Sequence, residues 1–290
     1  MNVAFFGTSA FGADVLRALV ARDRLRISVV VSQPDRESGR GRHLASPPVA
    51  EAARELGIEL HQPEHASELP PPADAGIVVA LGQIIREPLL SAYPLVNLHP
   101  SLLPRWRGAA PVERAIIAGD CETGVAVIAL AAELDAGPIL AERRFPIGAR
   151  DNAADVRARA LELGVPLLER ALLDGPQPRP QSETGITYAH KIERDDRSLD
   201  WTRPAAELDR VVRALSPHIG GRCLIDDRPF VIWEARPLDD GPAPGAVAPP
   251  FTIGCGRGAL EVIELQPAGK RRMSSEEYLR GVRSPPQTAT

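Results

Sequence analysis

The sequence predicts an α/β protein: a doubly wound, mainly parallel sheet in the first half, then a small all-β domain in the second. Three observations carry this expectation. Short apolar runs alternate with amphipathic helical stretches up to about residue 173. A stiff, proline-rich exit, Asp174-Gly175-Pro176-Gln177-Pro178-Arg179-Pro180-Gln181, then interrupts the pattern. Beyond it, five short strand-like runs are separated by Gly, Pro and Asp turns.

The first strand is the apolar run Asn2 to Phe6, which ends in Gly7-Thr8-Ser9. Phe11, Val15, Leu16 and Leu19 then recur at helical spacing, so strand, tight turn and helix follow one another. The unit repeats in a strand from Ile27 to Val31, a helix from Pro48 to Leu56, and strands at Gly76 to Leu81 and Leu95 to Leu98. Helices are expected from Ala109 to Ala118 and Ala154 to Leu173. Only Gly7 and Gly12 stand where a dinucleotide fingerprint needs three glycines, which argues against nucleotide binding there.

These features place a catalytic-type domain at 1–180, a linker at 181–203 and a C-terminal domain at 204–290. In the last, Leu208, Val211, Val212 and Leu215 give a helix from Ala205 to Leu215 one apolar face. Strands are expected at Arg222 to Ile225, Pro229 to Ala235, Ala246 to Val247, Phe251 to Gly254 and Ala259 to Leu265. Five such strands suggest a small OB-like β-barrel.

At 290 residues and 44% hydrophobic content the chain can bury two cores. The net charge of −4 argues against holding nucleic acid by bulk positive charge, so any RNA contact must be local. Residues 204–290 balance 11 Arg and Lys against 11 Asp and Glu. Cys121, Cys223 and Cys255 lie far apart with no C-x-x-C spacing and no histidine cluster, so neither a zinc site nor a disulfide framework is indicated. No apolar run approaches the roughly twenty residues that cross a bilayer, and the N-terminus enters a strand without a charged leader. The expectation is a cytoplasmic monomer.

The stretch richest in chemistry is Val96-Asn97-Leu98-His99-Pro100-Ser101-Leu102-Leu103-Pro104-Arg105-Trp106-Arg107-Gly108-Ala109-Ala110-Pro111, followed by Glu133-Leu134-Asp135-Ala136-Gly137. Asn97 and His99 are two apart at the end of a strand, so their side chains leave the same face, and Asp135 needs only the next connection to join them. An amide can donate to a developing oxyanion, an imidazole can move a proton near neutral pH, and a carboxylate can fix the imidazole's tautomer. The set suits acyl transfer to an amine. The competing account, a turn-capping Asn and His, explains less of the proline- and arginine-rich segment that follows.

This stretch resembles the signature of the methionyl-tRNA formyltransferases, within the wider family of 10-formyltetrahydrofolate-dependent formyltransferases. The likeness extends from Phe5-Phe6-Gly7-Thr8 through Gln33-Pro34-Asp35-Arg36 to Tyr188-Ala189-His190-Lys191-Ile192, Asp200-Trp201 and Leu265-Gln266-Pro267-Ala268-Gly269-Lys270. It implies that Asn97, His99 and Asp135 are the catalytic residues. It also implies a 10-formyltetrahydrofolate cosubstrate contacting Gln83, Ile84, Ile85, Ser101, Leu102, Leu103, Pro104 and Leu134, with no metal. The implied acceptor is charged initiator tRNA, bound by Arg36, Arg40 and Arg42 in a basic loop and by Lys191 and Lys270-Arg271-Arg272. Three positions depart from the family's usual pattern: Leu81 where a tyrosine is common, Ala126 in place of Thr or Ser, and Glu133 in place of Gly. Rival readings with the same reactive groups are a sugar-nucleotide N-formyltransferase and a formyltetrahydrofolate hydrolase. A non-catalytic RNA-binding paralogue would use the C-terminal domain alone.

The basic loop supplies a test that the shared chemistry cannot. The connection from Ser32 to Pro48 is far longer than the two to six residues usual for a βα loop, and its arginines suit a phosphate backbone. Arg40→Ala is expected to weaken use of charged tRNA and flatten its salt dependence by about one unit of log-log slope per lost phosphate contact. Transfer kinetics across a salt series check this, and identical kinetics for variant and parent would mark the loop as solvated surface.

Overall fold

The computed structural model describes residues 1–38, 43–65 and 72–290, which fall into two compact units. The first comprises Met1–Pro111, Glu122–Pro146 and Arg157–Ala189; the second comprises Val112–Cys121, Ile147–Val156 and His190–Thr290.

The elements run β1 (Asn2–Gly7), α1 (Ala10–Arg22), β2 (Arg26–Val31), β3 (Arg36–Ser38), β4 (His43–Ala45), α2 (Pro48–Glu55), β5 (Glu59–His61) and β6 (Ala75–Val79). Then come α3 (Leu89–Ala92), β7 (Leu95–His99), β8 (Arg107–Gly108), α4 (Pro111–Ala118), β9 (Glu122–Ala129), β10 (Ile139–Pro146), α5 (Ala153–Leu173) and β11 (Tyr188–Ala189). The main sheet of the first unit has the order β10-β9-β7-β6-β1-β2-β5. Strands β5, β2, β1, β6 and β7 are mutually parallel. Every residue of β6, and all but the first of β1, is buried, because helices must cover both faces of a parallel sheet. Phe5, Phe6, Ile77, Leu98 and Leu168 are among its largest fully buried side chains. Ser9 starts α1 by accepting the Gly12 N–H on its hydroxyl at 3.2 Å, which satisfies one of the helix's unpaired donors.

The expected strands and helices of the first half are present, with several additions that periodicity did not show. Strands β9 and β10 form an antiparallel edge on β7, with His99 opposite Ala126 and Asn97 opposite Ile128. Within the long Ser32–Pro48 connection, β3 and β4 pair antiparallel, with Arg36 opposite Ala45. Hydrogen bonds anchor its base: Asp35 accepts from the Gln62 side chain at 2.7 Å and the Ser46 hydroxyl at 2.9 Å. The bond from Gln62, then that from Ser46, hold the Asp35 carboxyl below its usual range. Arg40 and Arg42 lie outside the described residues.

In the second unit come α6 (Ala205–Leu215), β12 (Gly221–Ile225), β13 (Arg228–Leu238), β14 (Val247–Ala248), β15 (Thr252–Gly254), β16 (Ala259–Pro267), β17 (Met273–Ser274) and α7 (Ser275–Arg280). The sheet order is β12-β13-β16-β15-β14, antiparallel throughout, with β17 added on β16. The expected strands are there, but the ladder is open and does not close into a barrel among the described residues. Its end strands β12 and β14 are instead both reached by the last residues. The Leu224 N–H donates to the Thr290 carbonyl at 2.7 Å, and the Val247 N–H to the Gln287 carbonyl at 2.9 Å.

Two pieces distant in sequence are built into this unit. From α4, Arg114 makes a two-pronged ion pair with Asp196, each bond 2.7 Å. From the 147–156 segment, the Asp151 carbonyl accepts from Arg213 at 2.7 Å, and Arg150 reaches the buried Asp209 at 3.3 Å. The apolar face of α6, with Leu208, Val211, Val212 and Leu215, is buried as its spacing predicts.

Candidate active site

The site is built at the carboxyl ends of the central strands of the first unit, where open α/β sheets leave their crevice. The sheet order reverses between β1 and β6: β1 leads outward to β2 and β5, and β6 returns on its other side. At that point the Leu81 carbonyl is held by the Thr8 hydroxyl at 2.7 Å and the Gln33 amide at 2.8 Å.

Asn97 and His99 sit on β7 with one residue between them, as the alternation of a strand requires for a shared face. The loop joining β9 to β10 brings Asp135 to them. The Asn97 Nδ2 donates to Asp135 Oδ1 at 3.1 Å, and His99 Nδ1 lies 3.6 Å from Asp135 Oδ2. Asp135 Oδ2 also accepts the Gly108 backbone N–H at 2.8 Å. The His99 and Asp135 side chains are only 5% and 12% exposed, so a positive charge formed on the imidazole would be little screened from the carboxylate. The three residues singled out in the sequence therefore converge within hydrogen-bonding or near-contact distance.

His99 has a further partner that the sequence did not reveal. Its Nε2 lies 2.8 Å from the Trp106 carbonyl, which can only accept, so Nε2 carries the proton. Nδ1 is then the nitrogen that can take up another proton, on the side facing Asp135. Trp106 holds that carbonyl in place with a left-handed backbone, φ 65°, rare for a bulky residue. Its N–H donates to the Thr187 hydroxyl at 2.9 Å and its indole lies under the Arg105 guanidinium. Thr187 belongs to the segment that runs into β11, which pairs with β8 so that Tyr188 lies opposite Arg107 and Ala189 opposite Gly108. No periodicity announces a two-residue strand, and only the quoted Tyr188-Ala189 stretch hinted at a role for this segment.

The other singled-out residues spread more widely. Ile84 and Leu134 are large apolar side chains left 65% and 55% exposed. Leu103 is buried in a cluster with Ala126, Ile128 and Ile139, and Ile85 in one with Leu81 and Leu89. Ser101 is fully buried and spends its hydroxyl on the Arg105 carbonyl at 2.8 Å. Leu102 lies against Gly124, where a Cβ would collide with its Cδ2, and the Pro104 carbonyl accepts the Thr187 N–H. Gln83 donates to the Glu64 carbonyl at 2.8 Å. The three departures find plain accommodation: Leu81 joins the core, Ala126 lies beside His99 in the ladder without a hydroxyl, and Glu133 pairs with Arg107 at 3.2 Å. Arg36 is exposed on β3 and Lys191 and Lys270 are exposed in the second unit. Arg271 pairs with Glu277, while Arg272 pairs with Glu264 and stacks on Trp233. Among the described residues no group of His, Cys, Asp and Glu side chains could hold a metal ion.

Residues 1–172 match the formyl transferase family and residues 191–283 match its C-terminal domain. The chain belongs to the formyl transferase family. Curated relatives named methionyl-tRNA formyltransferase include one from Paracoccus denitrificans, 45% identical over 98% of this chain and 99% of the relative. Another, from Gluconobacter oxydans, is 41% identical over 97% of each chain. The resemblance read from the sequence is thus borne out. Among solved structures, HypX from Aquifex aeolicus in complex with tetrahydrofolic acid matches with a TM-score of 0.68 at 20% identity. That match covers 99% of this formyltransferase but only 50% of HypX. An N-formyltransferase from Helicobacter canadensis, in complex with folinic acid and dTDP-3-aminofucose, matches with a TM-score of 0.61 at 17% identity, covering 90% of this chain and 98% of that one. At these identities the likeness is one of fold.

Gly108 of this formyltransferase's site has no room for a side chain. Its φ is 116°, and an added Cβ would stand 2.9 Å from the Ala189 carbonyl. Gly108→Ala is therefore expected to cost about 1–3 kcal/mol of stability, read from the denaturant midpoint. An unchanged midpoint would show that β8 can shift freely.

Proposed function

We propose that the chain transfers the formyl group of 10-formyltetrahydrofolate to the α-amino group of methionyl initiator tRNA. The observation that carries this reading is the convergence of Asn97, His99 and Asp135 in a family whose curated relatives, at up to 45% identity over nearly the whole chain, are named for that activity. The folate donor supplies a formamide-like carbon open to attack. Ile84 and Leu134, apolar yet exposed, fit a flat aromatic ligand, with Gln83, Ile85, Ser101, Leu102, Leu103 and Pro104 shaping the loops around it.

The chain's own groups divide the work. Asn97 Nδ2 has one proton on Asp135 and a second free to donate to the formyl oxygen as it gains charge, an effect typically worth a few kcal/mol per donor. An α-amino group titrates near about 8, so a useful neutral fraction attacks at physiological pH. His99 Nδ1 takes the proton that the amine sheds, the Asp135 carboxylate faces the resulting imidazolium, and the proton is returned to the folate nitrogen as its bond to the formyl carbon breaks and tetrahydrofolate leaves. None of these steps calls for a metal.

The acceptor reading uses the rest of the chain. We place the catalytic domain at 1–180, the linker at 181–203 and an RNA-binding domain at 204–290, and read its six-stranded sheet as OB-like, with residues 287–290 spanning the two end strands. Arg36, Arg40 and Arg42 would guide the acceptor stem, and Lys191, Lys270, Arg271 and Arg272 would meet phosphates. Arg271 and Arg272 must exchange carboxylate partners for phosphate to do so. A monomer in the cytoplasm accords with this function, and among the described residues no helix is long and apolar enough to cross a membrane.

Two measurements test the proposal. Charged initiator tRNA, amino-sugar nucleotides and water alone are offered as acceptors while tetrahydrofolate release is followed; turnover is expected with the tRNA, and a preference for either rival acceptor overturns the assignment. Asp135→Asn is expected to retain folate binding while kcat falls by about two to four orders of magnitude, since a neutral amide cannot support an imidazolium. Full turnover in that variant would remove Asp135 from the chemistry.

A further inference from the structure

The proline-rich exit from α5 ends at Gln181, and the chemistry proposed above makes no use of its side chain. Gln181 is half-buried, and both ends of its amide are engaged. Nε2 donates to the Asp135 carbonyl at 2.7 Å and to the Gly137 carbonyl at 2.8 Å. Oε1 accepts from Arg107 Nη2 at 2.9 Å and Nε at 3.1 Å. One side chain thus ties the loop that carries Asp135 to the strand whose next residue, Gly108, donates its N–H to the Asp135 carboxylate.

We infer that Gln181 is a positioning residue for formyl transfer: its amide fixes the Asp135 backbone so that the carboxylate meets His99 Nδ1 and Asn97 Nδ2. This role rests on the function proposed above. Asp135 itself has φ 50°, in the left-handed region, a conformation its surroundings must hold. The carbonyl that Gln181 grips belongs to that same residue. Were the backbone to relax toward negative φ, the Cα–Cβ bond would swing and carry the carboxylate off the imidazole it faces. Arg107, whose side chain is 6% exposed, completes the clamp by meeting Gln181 on one side and Glu133 on the other. Only an amide fits this place, because it must donate to two carbonyls and accept from a guanidinium at once.

Variants separate these duties. Gln181→Met keeps the length of the side chain and removes both functions. Gln181→Glu keeps an acceptor for Arg107 but sets a carboxylate against two carbonyls. Formyl transfer to methionyl initiator tRNA is measured with the full chain, as kcat and donor KM. Both variants are expected to lose about tenfold or more in kcat with donor KM changed less than about twofold. Added to Asp135→Asn, Gln181→Met should cost less than about a further twofold, since residues acting through one another are not additive.

Unchanged kcat in both variants would overturn the inference, as would a loss that multiplies in full with that of Asp135→Asn. If Gln181→Met does not fold, Gln181→Glu decides the matter alone through kcat and its own combination with Asp135→Asn. An inactive parent would overturn the proposed function and this role with it, whereas an active parent with silent variants overturns the positioning role only.

Discussion

The Asp135 carboxylate is the point on which the first unit's architecture converges. It accepts from an amide on β7 and from a backbone N–H on β8, and it faces the imidazole of a second β7 residue. Each of these contacts needs a different part of the chain in place. The strand supplies Asn97 and His99 with the correct spacing, the glycine at 108 lets a backbone donor approach, and the loop after β9 delivers the carboxylate itself. An anion with two donors and a facing imidazole at low exposure is well compensated, and the same arrangement leaves it ready to stabilise a cation formed on His99.

Holding such a group demands rigidity from segments that have no regular structure of their own. The Trp106 and Asp135 backbones are both left-handed, and both are tied to the chain between α5 and β11, Trp106 through Thr187 and Asp135 through Gln181. Strain of this kind persists only where neighbouring hydrogen bonds determine the conformation. The stretch leading into β11 therefore acts on the first unit as a strap, joined to β8 by a two-residue pairing.

The second unit shows how a neutral balance of charge can still present local cations. Arg271, Arg272 and Arg236 are each matched by a glutamate, while Lys270 stands exposed on the turn after β16. Exposed ion pairs of this kind are worth little to stability, so exchanging a carboxylate for a phosphate need not unsettle the sheet beneath. Its packing depends instead on the buried face of α6 and on side chains such as Phe251, Ile253 and Leu265.

The sequence alone determined the class of fold and singled out the three side chains that converge in it. Periodicity exposes buried strands and amphipathic helices because each is a local pattern, and the spacing of Asn97 and His99 on a strand fixes their shared face. The long signature around them identified the family for the same reason: it is contiguous. What the tertiary structure decided is whatever depends on distant partners. The antiparallel edge of β9 and β10 alternates too weakly to be read as strand, since β9 is buried along almost its whole length. The open ladder of the second unit, which the strand count had suggested would close, depends on where β12 and β14 end relative to residues 287–290. That α4 goes with the second unit is decided by distant partners, among them Asp196 for Arg114 and Arg210 for the Ile117 carbonyl. The tautomer of His99 and the hold on Asp135 come from a carbonyl and an amide that no local rule marks as functional, because a backbone group and a loop glutamine acquire their roles only from what folds against them.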